Sequence, residues 1–192
     1  MLRNPRPRRR AAPPIPCPAM PATLDRHCAD DTATTLLGAE LARALRALGL
    51  PPLRVALHGE LGAGKTTFVR GVLRELGVQG RIKSPSYALV EPYTIPKQGL
   101  EFMHSLQIKA YHVDLYRFST PDEWLDAGLG DVLDGSALCF VEWPERAHGL
   151  PPADLDIRFE VRDDARDVAM QAGSPAGAAV IETMARAGSR AG

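Results

Sequence analysis

A short apolar run, a glycine turn and an amphipathic helix, met in that order, constrain this chain more than anything else in it. Residues 53–58, LRVALH, have strand length and composition. Gly59-Glu60-Leu61-Gly62-Ala63-Gly64-Lys65-Thr66 follows, and then KTTFVRGVLRELG. In that last segment Phe68, Val72 and Leu76 recur at helical spacing, with Val69 and Leu73 beside them. Glycine loses more backbone freedom on folding than any other residue. Glycines at 59, 62 and 64 therefore imply a backbone that must curl tightly around something. The octet fits G-x-x-x-x-G-K-[ST], the P-loop, and it has the strand before and the helix after that the motif requires. In such a loop successive N–H groups converge as an anion nest. The helix start adds unpaired N–H groups and the positive end of its dipole. Lys65 supplies a point charge for the β- and γ-phosphates, and Thr66 a hard oxygen for Mg²⁺. The implied ligand is a nucleoside triphosphate, held by Gly59, Glu60, Leu61, Gly62, Ala63, Gly64, Lys65, Thr66 and Thr67.

The rest of the chain reads as α/β. Leu37, Leu41, Leu45 and Leu48 mark a helix within 30–50, with Asp30, Asp31 and Thr32 as capping candidates and Gly49 before Pro51–Pro52 as a stop. Residues 81–93 read as a loop running into a strand, and 94–109 as an extended hairpin. AYHVDLYRF, 110–118, alternates: Tyr111, Val113 and Leu115 on one face, His112, Asp114 and Tyr116 on the other. Thr120, Pro121 and Glu123 form a capping-box pattern that predicts a helix. ALCFVEW, 137–143, is apolar enough for the centre of a parallel sheet. Residues 155–170 read as two strands around Asp163–Asp164, and 178–188 as a last short helix. The 192 residues suit one domain over 23–172, a tail at 1–22 and a C-terminal helix and tail at 173–192.

A P-loop alone binds; turnover also needs a second acid near the metal and a group that positions water. Glu142 ends the apolar strand where a metal-binding acid belongs in an open α/β sheet. From the residues alone, Asp114 either orients water or faces solvent, and Trp143 either packs near the nucleotide or serves as an ordinary aromatic. Ser86, in Ser84-Pro85-Ser86-Tyr87, either contacts the metal or γ-phosphate or makes a local turn.

Composition narrows the class. The chain's formal net charge is zero, but residues 1–22 carry five arginines, seven prolines and no acid, which leaves −5 for the remainder. That tail has a disordered composition, and proline breaks the apolar stretch an export signal needs. It reads as a floppy extension, or as sequence upstream of a true start at Met20, ahead of a nucleic-acid arm. No apolar run is long enough for a membrane span. Cys17, Cys28 and Cys139 have no C-x-x-C spacing, so a reduced, cytoplasmic setting is expected, with Cys139 a small buried hydrophobe.

LGAGKTTF, KSPSYALVEPY, YHVDLYR and FVEWP, in this order and spacing, resemble the TsaE (YjeE) family over about residues 30–170. Those are small bacterial ATPases of tRNA threonylcarbamoyladenosine synthesis. The resemblance implies one P-loop NTPase-like α/β domain with a mixed, mostly parallel sheet flanked by helices, ATP and Mg²⁺ as ligands, and a cytoplasmic location. It implies TsaB and TsaD as partners, which transfer threonylcarbamoyl to the adenosine beside the anticodon. By motif, Thr66 and Glu142 hold Mg²⁺ and Asp114 is catalytic, while Ser86 stands where the family more often has threonine. The adenine lies near the start of the first helix and the late hairpin, which points to Asp31 and Arg166. A domain at −5 lacks the basic footprint of an RNA binder, so tRNA contact is expected only through partners. Two other readings compete: a P-loop kinase of a small metabolite, and a nucleotide-gated adaptor without turnover. A GTPase is disfavoured, because the only asparagine is Asn4 and guanine recognition by N-K-x-D needs one.

Overall fold

The structure, a computed structural model, describes residues 22–85, 87–96 and 108–188. The expectations for the tail up to residue 21, for Ser86 and for 97–107 lie outside the described residues. In chain order the elements are β1 (Thr23–Cys28), α1 (Asp31–Ala47), β2 (Leu53–His58), α2 (Lys65–Glu75), β3 (Val90–Ile95), β4 (Ile108–Asp114), α3 (Glu123–Asp126), β5 (Leu138–Glu142), β6 (Leu155–Arg162), β7 (Ala165–Ala172) and α4 (Pro175–Gly188). They build one seven-stranded sheet in the order β1-β7-β6-β2-β5-β4-β3. Strands β6, β2, β5 and β4 pair in parallel, while β7 and β3 run the other way at either side. β1 pairs antiparallel with β7 and so points the same way as the parallel core, which makes the mixed sheet mostly parallel.

Local chemistry explains the element ends. Asp30 caps α1 by accepting from the Ala33 N–H at 2.7 Å. Gly49, at φ 80°, lets the chain leave that helix in the left-handed region. β5 is buried at all five positions because both faces are covered. On one face α1, α2 and α4 pack Leu41, Leu45, Phe68, Val72 and Ile181 over Val55, Leu57, Phe140 and Ile157. On the other, Leu115, Phe118, Trp124, Leu129 and Leu133 cover Val113, Cys139 and Val141. Helices α1 and α2 touch backbone to backbone. A Cβ on Gly38 would lie 2.3 Å from the Phe68 carbonyl oxygen, and one on Gly71 2.2 Å from that of Thr35. That contact holds the helix carrying Lys65 rigidly against its neighbour.

One expectation needs correction, one open alternative closes, and one strand has no counterpart in the sequence reading. The alternation in 110–116 leaves Asp114 open between orienting water and facing solvent; His112 and Asp114 are both buried, His112 against Glu142 and Asp114 against Ser84. The capping-box contact forms, with Glu123 accepting from the Thr120 N–H at 2.9 Å, but the helix is only the four residues of α3 and starts after Asp122. β1 was unexpected: its burial alternates between exposed and half-covered until Cys28, so it carries little apolar signal. Among the described residues no helix is long and apolar enough to cross a membrane.

Candidate functional site

The glycine loop joins the C-terminal end of central strand β2 to α2. Gly59, Gly62 and Gly64 have φ of 139°, 81° and 100°, a region that side-chain-bearing residues rarely adopt. Gly64 forms the helix cap itself, with no side-chain acceptor on the first N–H groups of α2. The Lys65 ammonium donates to the carbonyls of Gly59, at 2.5 Å, and Glu60, at 2.9 Å. It also lies 3.9 Å from the centroid of the Trp143 ring. Burial pushes the Lys65 pKa below its usual range, against the upward pull of Glu142, Glu145 and Asp114.

β5 and β4 bring the acids in from the side. Glu142 pairs in register with Asp114, so two carboxylates sit at adjacent strand ends beside the loop. Both are nearly inaccessible to solvent. The Thr66 hydroxyl donates to Glu142 Oε1 at 2.7 Å. His112 Nε2 donates to that same oxygen, also at 2.7 Å. Asp114 accepts from the Tyr116 N–H at 3.0 Å and from the Ser84 hydroxyl at 3.3 Å. Trp143, directly after Glu142, is left-handed at φ 60° and is held there by its N–H donating to the Leu57 carbonyl at 3.3 Å. Its ring meets that of Tyr116 at 5.0 Å.

These groups line a cleft of about 190 Å³ whose walls include Asp31, residues 61–67, Ser84, Asp114, Tyr116, Glu142 and Trp143. Gly59 and Glu60 contribute carbonyls to Lys65 instead of lining it. Arg166 lies just behind. Its guanidinium donates to Asp31 Oδ1 and Thr34 Oγ1, both at 2.8 Å. A Cβ on Gly64 would meet the Arg166 side chain at 3.2 Å, so the loop closes directly against it.

The donor set suits Mg²⁺ better than a softer ion. Thr66 and Glu142 offer oxygens, and a hydroxyl that gives its proton to a carboxylate turns its lone pairs outward. Mg²⁺ takes one or two protein oxygens and completes its shell with water and phosphate. No cluster of three or more His, Cys, Asp or Glu side chains that could hold a metal by themselves occurs among the described residues.

Sequence reasoning brought Asp31, Lys65, Thr66, Asp114 and Glu142 to one place. It left Trp143 open, and it gave no part to His112 or Thr34. The signal for His112 was present: two residues before Asp114 in a strand, it shares that side of the sheet.

Comparison with known proteins places the chain in a family. The family model described as "Threonylcarbamoyl adenosine biosynthesis protein TsaE" matches residues 28–168. A Haemophilus influenzae protein named tRNA threonylcarbamoyladenosine biosynthesis protein TsaE is 35% identical over 161 residues, which is 83% of this chain and 96% of that protein. The Bacillus subtilis protein of the same name is 32% identical over 134 residues, covering 69% and 77% of the two chains. The crystal structure of Bacillus subtilis YdiB superposes with a TM-score of 0.65 at 26% identity, over 88% of this chain and 97% of that one. With a match that includes the glycine loop, both acidic strand ends and Arg166, this chain belongs to the TsaE family of tRNA threonylcarbamoyladenosine biosynthesis.

Proposed function

We propose that this chain binds ATP with Mg²⁺ at the glycine loop and hydrolyses it in support of threonylcarbamoyl transfer to tRNA, acting with TsaB and TsaD in the cytoplasm. The observation that carries the reading is the Thr66–Glu142 oxygen pair beside Lys65, at the mouth of a loop whose amides curl at the start of α2. Bound there, Mg²⁺ would neutralise charge on the β- and γ-phosphates. Thr66 and Glu142 are the residues suited to hold it. Lys65 would exchange its loop carbonyls for phosphate oxygens. Asp114, one strand away from Glu142, is the carboxylate suited to orient the attacking water. Trp143 would cover the lysine and keep bulk water from it.

An ATPase assay with and without a TsaB–TsaD pair tests the whole reading. Stimulation by the pair supports it. Phosphoryl transfer from ATP to a small metabolite would replace it with a kinase, and binding without turnover in any mixture would replace it with an adaptor.

A further inference from the structure

The imidazole of His112 is the most deeply buried ionisable side chain near the site, with 0% exposure. Its Nε2 donates to Glu142 Oε1 at 2.7 Å, and its Nδ1 has no partner among the described residues. A buried polar atom without a partner is costly, and an apolar side chain would fill the place without that cost. One half of the ring is thus badly placed for stability while the other half grips the one carboxylate that also receives the Thr66 hydroxyl. The grip crosses between strands, from β4 to β5. Without it, a glutamate with three side-chain torsions would be anchored by Thr66 alone. Thr66 has its own lone pairs to offer a cation.

We propose that His112 is a positioning residue for the cation site: through Nε2–H it fixes the Glu142 carboxylate in the rotamer that meets Thr66. This rests on the Mg²⁺–ATP reading and adds to it a residue that touches neither cation nor nucleotide. Partners behind a ligating side chain commonly change metal affinity by about 10- to 100-fold when removed.

The test is calorimetric titration of the full chain with a non-hydrolysable ATP analogue, in EDTA and across a Mg²⁺ series, alongside thermal melting. His112→Leu removes the donor and the orphaned nitrogen together. His112→Gln keeps an N–H at the Nε2 position, and His112→Asn keeps one only nearer the backbone. The expected result for His112→Leu is unchanged affinity in EDTA, an undiminished melting temperature, and a Mg²⁺ requirement raised about 10- to 100-fold. His112→Gln should recover most of the Mg²⁺ response and His112→Asn should not. Full Mg²⁺ response in a folded His112→Leu overturns the inference and leaves the ATP reading standing. Should His112→Leu fail to fold, equal Mg²⁺ responses in the Gln and Asn variants overturn it. A wild-type protein whose analogue affinity ignores Mg²⁺ overturns the ATP reading, and this inference with it.

Discussion

The ammonium of Lys65 is covered by the ring of Trp143, 3.9 Å from nitrogen to ring centroid, and is satisfied by two carbonyls of its own loop. A cation in that position is well placed for phosphate and poorly placed for stability. Lys65→Met should separate the two effects. A hydrogen bond to a charged group is worth about 1.5–3 kcal/mol. Loss of one should weaken ATP binding about ten- to a hundredfold, measured by calorimetry. Burial lowers the Lys65 pKa, so the folded state releases its proton more readily than the unfolded state. The charged lysine therefore costs stability in full below the depressed folded pKa, and the cost fades as pH rises towards the unfolded value of 10.5. Lys65→Met should gain most over wild type at neutral pH and progressively less at alkaline pH. An advantage that grows with pH would contradict this.

Glu142→Ala removes an acceptor shared by Thr66 and His112. Each buried donor left unpaired costs about 1–3 kcal/mol. The variant should therefore melt at a lower temperature as well as lose Mg²⁺-dependent turnover. Glu142→Gln keeps an acceptor without the charge, so it should melt closer to wild type and still respond poorly to Mg²⁺. Equal melting losses in the two variants would count against the shared-oxygen geometry.

Asp114→Asn should leave nucleotide affinity nearly intact and cut hydrolysis by about 100-fold or more, the scale of a positioned acid–base group. Its neighbours, the Tyr116 N–H and the Ser84 hydroxyl, donate to the carboxylate, and an amide oxygen can accept only in part. Turnover unchanged in steady-state assays would make Asp114 a structural acid.

Burial pushes the Cys139 thiol up to about 12 and raises that of Cys28 as well. Only the thiolate reacts readily. An alkylating reagent at pH 8, read by peptide mapping, should leave both untouched in the folded protein and label both in denaturant. Rapid labelling of Cys139 in the native state would contradict its place in the core.

Much of this site was legible because a P-loop demands glycines, a lysine and a hydroxyl in one short window, between a strand and a helix that periodicity reveals. Glu142 was legible because β5 is apolar on both faces and ends at a charge. Asp114 was placed on the correct strand, but the residues alone left open whether it faced a site or solvent. Period-two spacing separates two faces without saying what lies over either, and here His112 and Asp114 on the polar one are buried. β1 escaped notice for the converse reason: an edge strand against β7 needs little apolar sequence to pair. The bonds from His112 to Glu142 and from Arg166 to Asp31 join residues 30 and 135 positions apart, distances at which no local pattern operates.

The central claim is that the loop, Lys65 and the Thr66–Glu142 pair together bind a triphosphate with its cation. Calorimetric titration of the wild-type chain with a non-hydrolysable ATP analogue, with and without Mg²⁺, tests it most directly. The account predicts one site per chain, tighter with Mg²⁺ and weakened about ten- to a hundredfold by Lys65→Met. Binding that Lys65→Met leaves unchanged, or no binding at all, would contradict it.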